Sequence, residues 1–201
     1  MIRSDLLERE NCSRIQKDFL EFHTALSRVM ESAAAALDAG DRSGLLQTAH
    51  QAGVLEEQGE DAVRVWDLRD PLDVENRGKL SLIALRSARA LRQLCTTGSS
   101  PLAGLEESRA FLGSLCRSLA DRLDWSAKRQ LLGPAYTGAD EEDLELSLSE
   151  LPGSLLSESR LSRVQALLDF HDALLALREL FEVLGEVRRM ADRLFPLKGS
   201  R

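Results

Sequence analysis

Four carboxylates lie within six residues in the segment 55–64, which reads LEEQGEDAVR. On a helix, carboxylates four residues apart have Cβ atoms about 5 to 6 Å apart, so they can share one cation or a pair of arginines. At about 100° per residue, Glu56 points toward the apolar side of this helix and Glu60 lies at its border. Glu57 and Asp61 are expected to face water. Glu56 and Glu60 are therefore the candidate site residues.

The inward pair needs a partner, because removing two like charges from water costs several kcal/mol each. A metal is one interpretation, in which Glu56 and Glu60 help to hold a divalent or iron cation. Such sites need more oxygen ligands than one helix supplies. A groove open to solvent, which leaves both carboxylates hydrated, is the second. Structural ion pairs with arginines on other helices are the third. The candidate arginines are Arg86, Arg89 and Arg178.

Apolar residues recur at steps of three and four along most of the chain, which predicts long helices. The first predicted helix runs from about 12 to 38, and the second from a cap at Asp41 or Ser43 to before Pro71. The third runs from a cap at Asp73 to a break at 96–101. The fourth runs from near Pro101 to before Gly133, and the last from about 157 to 195. At 1.5 Å per residue such helices extend roughly 37 to 57 Å. This length predicts an all-α fold, an elongated up-and-down bundle of five or six long antiparallel helices.

The connection at 133–153 is acidic and interrupted by glycine and proline, so we expect a mobile segment within a single domain spanning 1–201. The net charge of −7 disfavours binding to nucleic acid or to an anionic membrane surface. No apolar run approaches the 18 or so residues of a membrane span. The three cysteines show no C-x-x-C spacing, and we expect inert core thiols at Cys95 and Cys116 in a reducing cytoplasm.

The segment 55–64, the turn DPLDVENR at 70–77 and the apolar helix after it resemble the PhoU-like family of phosphate-transport regulators. In that family a helix carries one acid and a second four residues later, and a turn with a proline leads into the next helix. Glu56 and Glu60 match the two acids, and Pro71 falls in the turn. The segment ELFEVL at 179–184 is similar to the start of the family's final helix motif.

The resemblance implies an all-helical, non-enzymatic regulator of phosphate uptake in the cytoplasm. Its partners would be other proteins, such as a phosphate transporter or its regulator, or a second copy in a homodimer. Family members bind metal clusters through repeated acids. Here Arg86 and Arg89 stand on the helix that should carry the second acidic motif, and Gly185 and Arg189 stand at acid positions of the last helix. The chain therefore matches the family's architecture better than its metal sites.

Two other classes of function remain open. One is a general interaction or oligomerisation module that docks a partner helix on an exposed face. The other is a carboxylate metalloprotein, including a di-iron enzyme, which requires E-x-x-H motifs from two helices that this sequence lacks. Among the histidines, we expect His171 to be buried on the packing stripe of the last helix. His23 and His50 are expected at the surface.

Overall fold

The computed structural model describes residues 14–64, 71–99, 106–132 and 164–194, and these residues form five helices with no strand among them. The helices are α1 Arg14–Ala39, α2 Arg42–Arg64, α3 Pro71–Gly98, α4 Glu106–Leu132 and α5 Val164–Leu194. The prediction of an all-α bundle is confirmed. The connection predicted at 133–153 lies outside the described residues. No helix in the described ranges combines the length and the apolar character needed to cross a membrane.

The turn between α1 and α2 follows from two residue types. Gly40 has a φ of 63°, a left-handed conformation that favours glycine because it has no Cβ. The Asp41 N–H donates to the Ala36 carbonyl at 2.9 Å and closes the end of α1. The Asp41 carboxylate then accepts a hydrogen bond from the Gly44 N–H at 3.0 Å, which caps α2. Of the two predicted caps, Asp41 is confirmed.

Helix α3 differs from its predicted bounds at both ends. It begins at Pro71, so Asp73 lies inside the helix and is not its cap. Proline suits this position because its missing N–H would have no partner in a first helical turn. At the other end α3 continues through Thr96 and Thr97 to Gly98, where the sequence indicated a break. Both threonine hydroxyls donate to carbonyls four residues earlier, at 2.8 Å, which keeps them compatible with the helix.

Four helices surround the core in the cyclic order α1, α3, α5, α4, and α2 packs on the outside of α1 and α3. The buried side chains are mostly leucine and alanine, with few aromatic rings, as the composition predicts. Burial of these apolar surfaces at about 25 cal/mol per Å² is the main force that holds the helices together.

Contacts between the helices define their directions. The contacts Ser27–Ala120 and Gly40–Arg109 show that α4 runs antiparallel to α1. Helix α5 runs antiparallel to α3, since the start of α3 meets the end of α5. Helices α1 and α3 end at the same end of the bundle, where a Cβ on Gly98 would lie 3.0 Å from Leu37. It follows that α4 and α5 run in the same direction. Helices α1 to α4 therefore alternate in direction along the chain, as an up-and-down bundle requires.

Candidate functional site

Glu56 points from α2 toward α3, and its side chain is only 10% exposed. Its Oε1 accepts a hydrogen bond from Arg89 Nε at 2.6 Å. Its Oε2 lies 3.0 Å from Arg92 Nη1, although the angle is too poor for a hydrogen bond and no other donor reaches this oxygen among the described residues. Arg89 and Arg92 are 62% and 52% exposed. Glu56 is therefore a buried carboxylate neutralised by two arginines that reach it from the solvent side.

The inward direction of Glu56 and the exposure of Glu57 agree with the helical winding inferred from the sequence. The side chains of Glu60 and Asp61 lie outside the described part of α2. Within the described ranges, no group of three or more His, Cys, Asp or Glu side chains is placed to hold a metal ion. The metal interpretation of Glu56 and Glu60 thus stays a prediction from the sequence.

Of the three arginines predicted to meet the acid pair, the structure brings only Arg89 to Glu56. Arg86 faces α5, because each three-residue step along a helix rotates the side chain by about 60°. Arg178 is 72% exposed and lies 3.9 Å from Glu182 on its own helix. Helix α5 packs on α3 and α4, away from α2, so Arg178 does not meet Glu56. The proposed pairing of Arg86 and Arg178 with the α2 acids is wrong for Glu56.

Arg86 is instead the centre of a second charged cluster, which we call the Arg86 cluster, between α3 and α5. Its Nε donates to Glu179 Oε1 at 2.6 Å, its Nη1 donates to Glu186, and Glu182 lies 3.7 Å away. The hydrogen bond that Arg86 donates to Glu179 raises the pKa of the Arg86 guanidinium, and Glu186 adds to this effect while burial opposes it. Sequence reasoning missed this cluster. Its signal was the spacing of the three glutamates on one face of the last helix.

Two histidines occupy environments opposite to the predicted ones. His23 is fully buried, its Nδ1 lies 2.6 Å from the Phe19 carbonyl, and the ring packs on Phe19 and Phe22 with centroid distances of 4.1 and 5.5 Å. Since Nδ1 needs its proton for that contact, Nε2 is the bare nitrogen, and it has no partner among the described residues. Burial lowers the pKa of His23 to about 4. His171 is 65% exposed beside Asp172.

The wrong prediction for His171 comes from the packing stripe assigned to the last helix. The buried stripe of α5 includes Phe170, Ala173 and Leu177. Leu168 and Leu175, three residues before and four residues after His171, are 52% and 48% exposed. Leucines on both sides of this helix made the apolar face ambiguous, and the packing of α3 and α4 selects one side. For His23, a polar residue type concealed a position that lies on the buried side of α1.

The two described cysteines are buried and unpaired. Burial raises the pKa of the Cys95 thiol to about 12 and raises that of Cys116 further. Cys116 Sγ donates to the Met30 carbonyl at 3.4 Å. These thiols have the properties of inert core residues, as the sequence indicated.

No protein-family model matches this chain, and no curated protein shows significant similarity to it. The class that the fold and the site define is an all-helical bundle whose inward-facing acid on α2 is held by arginines.

Proposed function

We propose that this protein is a non-enzymatic, cytoplasmic regulator that acts through protein–protein contacts, as a divergent PhoU-like protein associated with phosphate uptake. The observation that carries the proposal is the neutralisation of Glu56 by Arg89 and Arg92. A carboxylate already paired with two guanidinium groups holds helices α2 and α3 together and is a poor metal ligand or general base.

The Arg86 cluster supports the same interpretation. Arg86 occupies a position at which the PhoU-like motif would have an acid, and it gathers three glutamates from α5. An arginine here replaces the cation that a metal would supply between the two helices. A divergent member would keep the bundle in this way while its metal sites were lost.

The test of the regulatory role is deletion of the gene in the organism that encodes it. We expect phosphate uptake in phosphate-rich medium to rise in the deletion strain and to return to normal when the wild-type gene is restored. Uptake that is unchanged by the deletion, at both high and low phosphate, would contradict the assignment to phosphate transport.

Metal analysis tests the proposal against the alternative of a carboxylate metalloprotein. Protein purified without a tag and incubated with iron, manganese or zinc salts should retain far less than one metal ion per chain after dialysis. Two tightly held irons per chain would overturn the proposal in favour of a carboxylate metalloprotein.

A general oligomerisation module is the second candidate, and one observation favours it. Leu168 and Leu175 are both about half exposed and lie seven residues apart on α5, the spacing of a coiled-coil seam. Sedimentation velocity distinguishes this candidate. A dimer that becomes a monomer in Leu168→Lys, combined with unchanged phosphate uptake in the deletion strain, would favour it over the first.

A further inference from the structure

A groove with a volume of about 460 Å³ runs along the seam between α3 and α5, beside the Arg86 cluster. We call it the α3–α5 groove. It is lined by Lys79, Leu82, Ile83, Glu186, Arg189 and Met190, with Arg193 at its end. These residues recur at helical spacing on both helices, so the groove follows the helix axes.

The floor of the groove is apolar. Ile83 and Met190 are 2% and 4% exposed and form the base of the groove, whereas Leu82 is 54% exposed at its edge. Leu82 is the most exposed of the large apolar side chains in the described ranges. Covering such a side chain removes apolar surface from water and so favours binding.

The rim of the groove is positively charged, although the whole chain carries a net charge of −7. Lys79 Nζ and Arg193 Nη1 both contact Glu75 Oε1, at 2.6 and 3.0 Å. Hydrogen bonds from Lys79 and then Arg193 lower the pKa of the Glu75 carboxyl to about 2. The rim therefore already holds one carboxylate of the protein itself.

Arg189 adds a further cation to this rim. Its side chain is exposed, and none of the ion pairs of the described residues includes it. Glu186, the acid that lines the groove, is held by Arg86. The groove thus offers an arginine fork on α5 to a carboxylate from outside, together with an exposed leucine on α3.

We propose that the α3–α5 groove docks an acidic amphipathic helix of a partner protein, with an apolar side chain over Leu82 and Met190 and a carboxylate on Arg189. This inference rests on the proposed function in that it supplies the surface for the partner contact. A helix fits better than a small molecule, because small ligands bury most of their surface in a concave pocket, whereas this groove presents exposed side chains, Leu82 and Arg189. Packed helices lie 8 to 10 Å apart, a distance that suits a third helix seated between two others.

Binding is measured with a synthetic helical peptide of about four turns, with leucines along one face and glutamates on its flanks. Titration into the full-length ¹⁵N-labelled protein should shift the amide signals of residues 79–83 and 186–193. A peptide with lysine in place of glutamate, and a scrambled peptide of the same composition, should leave these signals unchanged. Binding should weaken as salt increases.

Matched variants locate the contact. Arg189→Glu should weaken binding of the peptide at least tenfold, whereas Arg178→Glu makes the same charge change on the same helix and should have little effect. Leu82→Ser should weaken binding several-fold, with Leu46→Ser on α2 as its control. Glu75→Gln should strengthen binding, because it releases Lys79 and Arg193 for the peptide.

Three results would overturn the proposal. They are absence of shifts at saturating acidic peptide, equal weakening by Arg189→Glu and Arg178→Glu, and binding of decanoate at the groove without binding of the peptide. In the deletion strain, Arg189→Glu should fail to restore normal uptake and Arg178→Glu should succeed. If deletion itself changes nothing, the phosphate assignment fails, and the peptide titration still decides the docking site.

Discussion

The buried side of α1 and the two sides of α3 that face α2 and α5 carry polar groups of different kinds. On α1, Ser27 donates to the Ala120 carbonyl at 3.2 Å, and Met30 accepts from Cys116. These groups are neutral and buried, and each uses a backbone carbonyl. On α3, Arg86 and Arg89 carry full charges, and water reaches both.

The difference shows where this bundle tolerates charge. A neutral hydroxyl or thiol loses little on burial when a carbonyl accepts its hydrogen bond, whereas an ion without a partner costs several kcal/mol. Full charges therefore occur where one member of each pair remains hydrated. His23 is an exception, since it lies on the buried side of α1 and can become charged.

The largest expected effect is the pH dependence of His23. Its pKa is about 4 in the folded protein against 6.5 ordinarily, so the unfolded chain binds the proton first as pH falls. Stability is full above pH 6.5 and decreases toward pH 4, by about 3 kcal/mol in total. The free energy of unfolding, measured with urea at several pH values, should fall more steeply with decreasing pH for the wild type than for His23→Leu over this window. His50→Leu, at an exposed position, is the control. The same pH dependence of the free energy of unfolding for the wild type and His23→Leu would show that His23 is not buried away from water.

The second effect concerns the Arg86 cluster. Arg86→Met should lower the free energy of unfolding by about 2 kcal/mol, because Glu179 and Glu186 lose the cation between them and only Glu182 keeps a neighbouring arginine. Arg178→Met removes an exposed arginine nearby and should cost less than about 0.5 kcal/mol. Thermal melts at low salt measure both variants. If Arg86→Met lowers the stability no more than Arg178→Met does, the Arg86 cluster does not stabilise the packing of α3.

The third effect is an asymmetry at Glu56. Removing both cations, in Arg89→Ala with Arg92→Ala, should destabilise the protein by about 1 to 2 kcal/mol because a buried carboxylate loses its partners. Glu56→Leu should change stability by less than about 1 kcal/mol, since the two arginines it frees are exposed and can be hydrated. If Glu56→Leu destabilises the protein more than the double substitution in denaturant melts, water does not hydrate the two arginines adequately in the absence of Glu56.

The smallest effect compares two helical glycines. A Cβ on Gly53 would meet nothing within 4 Å, so Gly53→Ala should stabilise the protein by about 0.5 to 1 kcal/mol through helix propensity. A Cβ on Gly113, where α4 approaches α1, would contact Asp38 and lie 3.3 Å from the Ala34 carbonyl oxygen. Gly113→Ala should therefore gain nothing or lose stability. Equal stabilisation by both substitutions in thermal melts would mean that the α1–α4 seam is looser than its contacts indicate.

The sequence predicted the local features of this protein well. Helix α1 was expected at about 12–38 and is Arg14–Ala39, and the Asp41 cap was among the two proposed. The inward direction of Glu56 followed from winding alone. Each of these features depends on residues within a few positions along the chain, so one stretch of sequence contains the information.

Long-range features were a different matter. The pairing of Arg86 with α5 and the burial of His23 each depend on how one helix is rotated against another. Apolar residues on more than one side of a helix leave that rotation open, as the exposed Leu175 shows.

Local winding thus determined which acid on α2 turns inward, because helix geometry repeats every few residues whatever surrounds it. Tertiary packing decided that Arg89 and Arg92 meet that acid while Arg86 turns to the glutamates of α5. A buried charge needs a partner, and the sequence offered several arginines that could pair with Glu56. Only the placement of α3 between α2 and α5 chose among them.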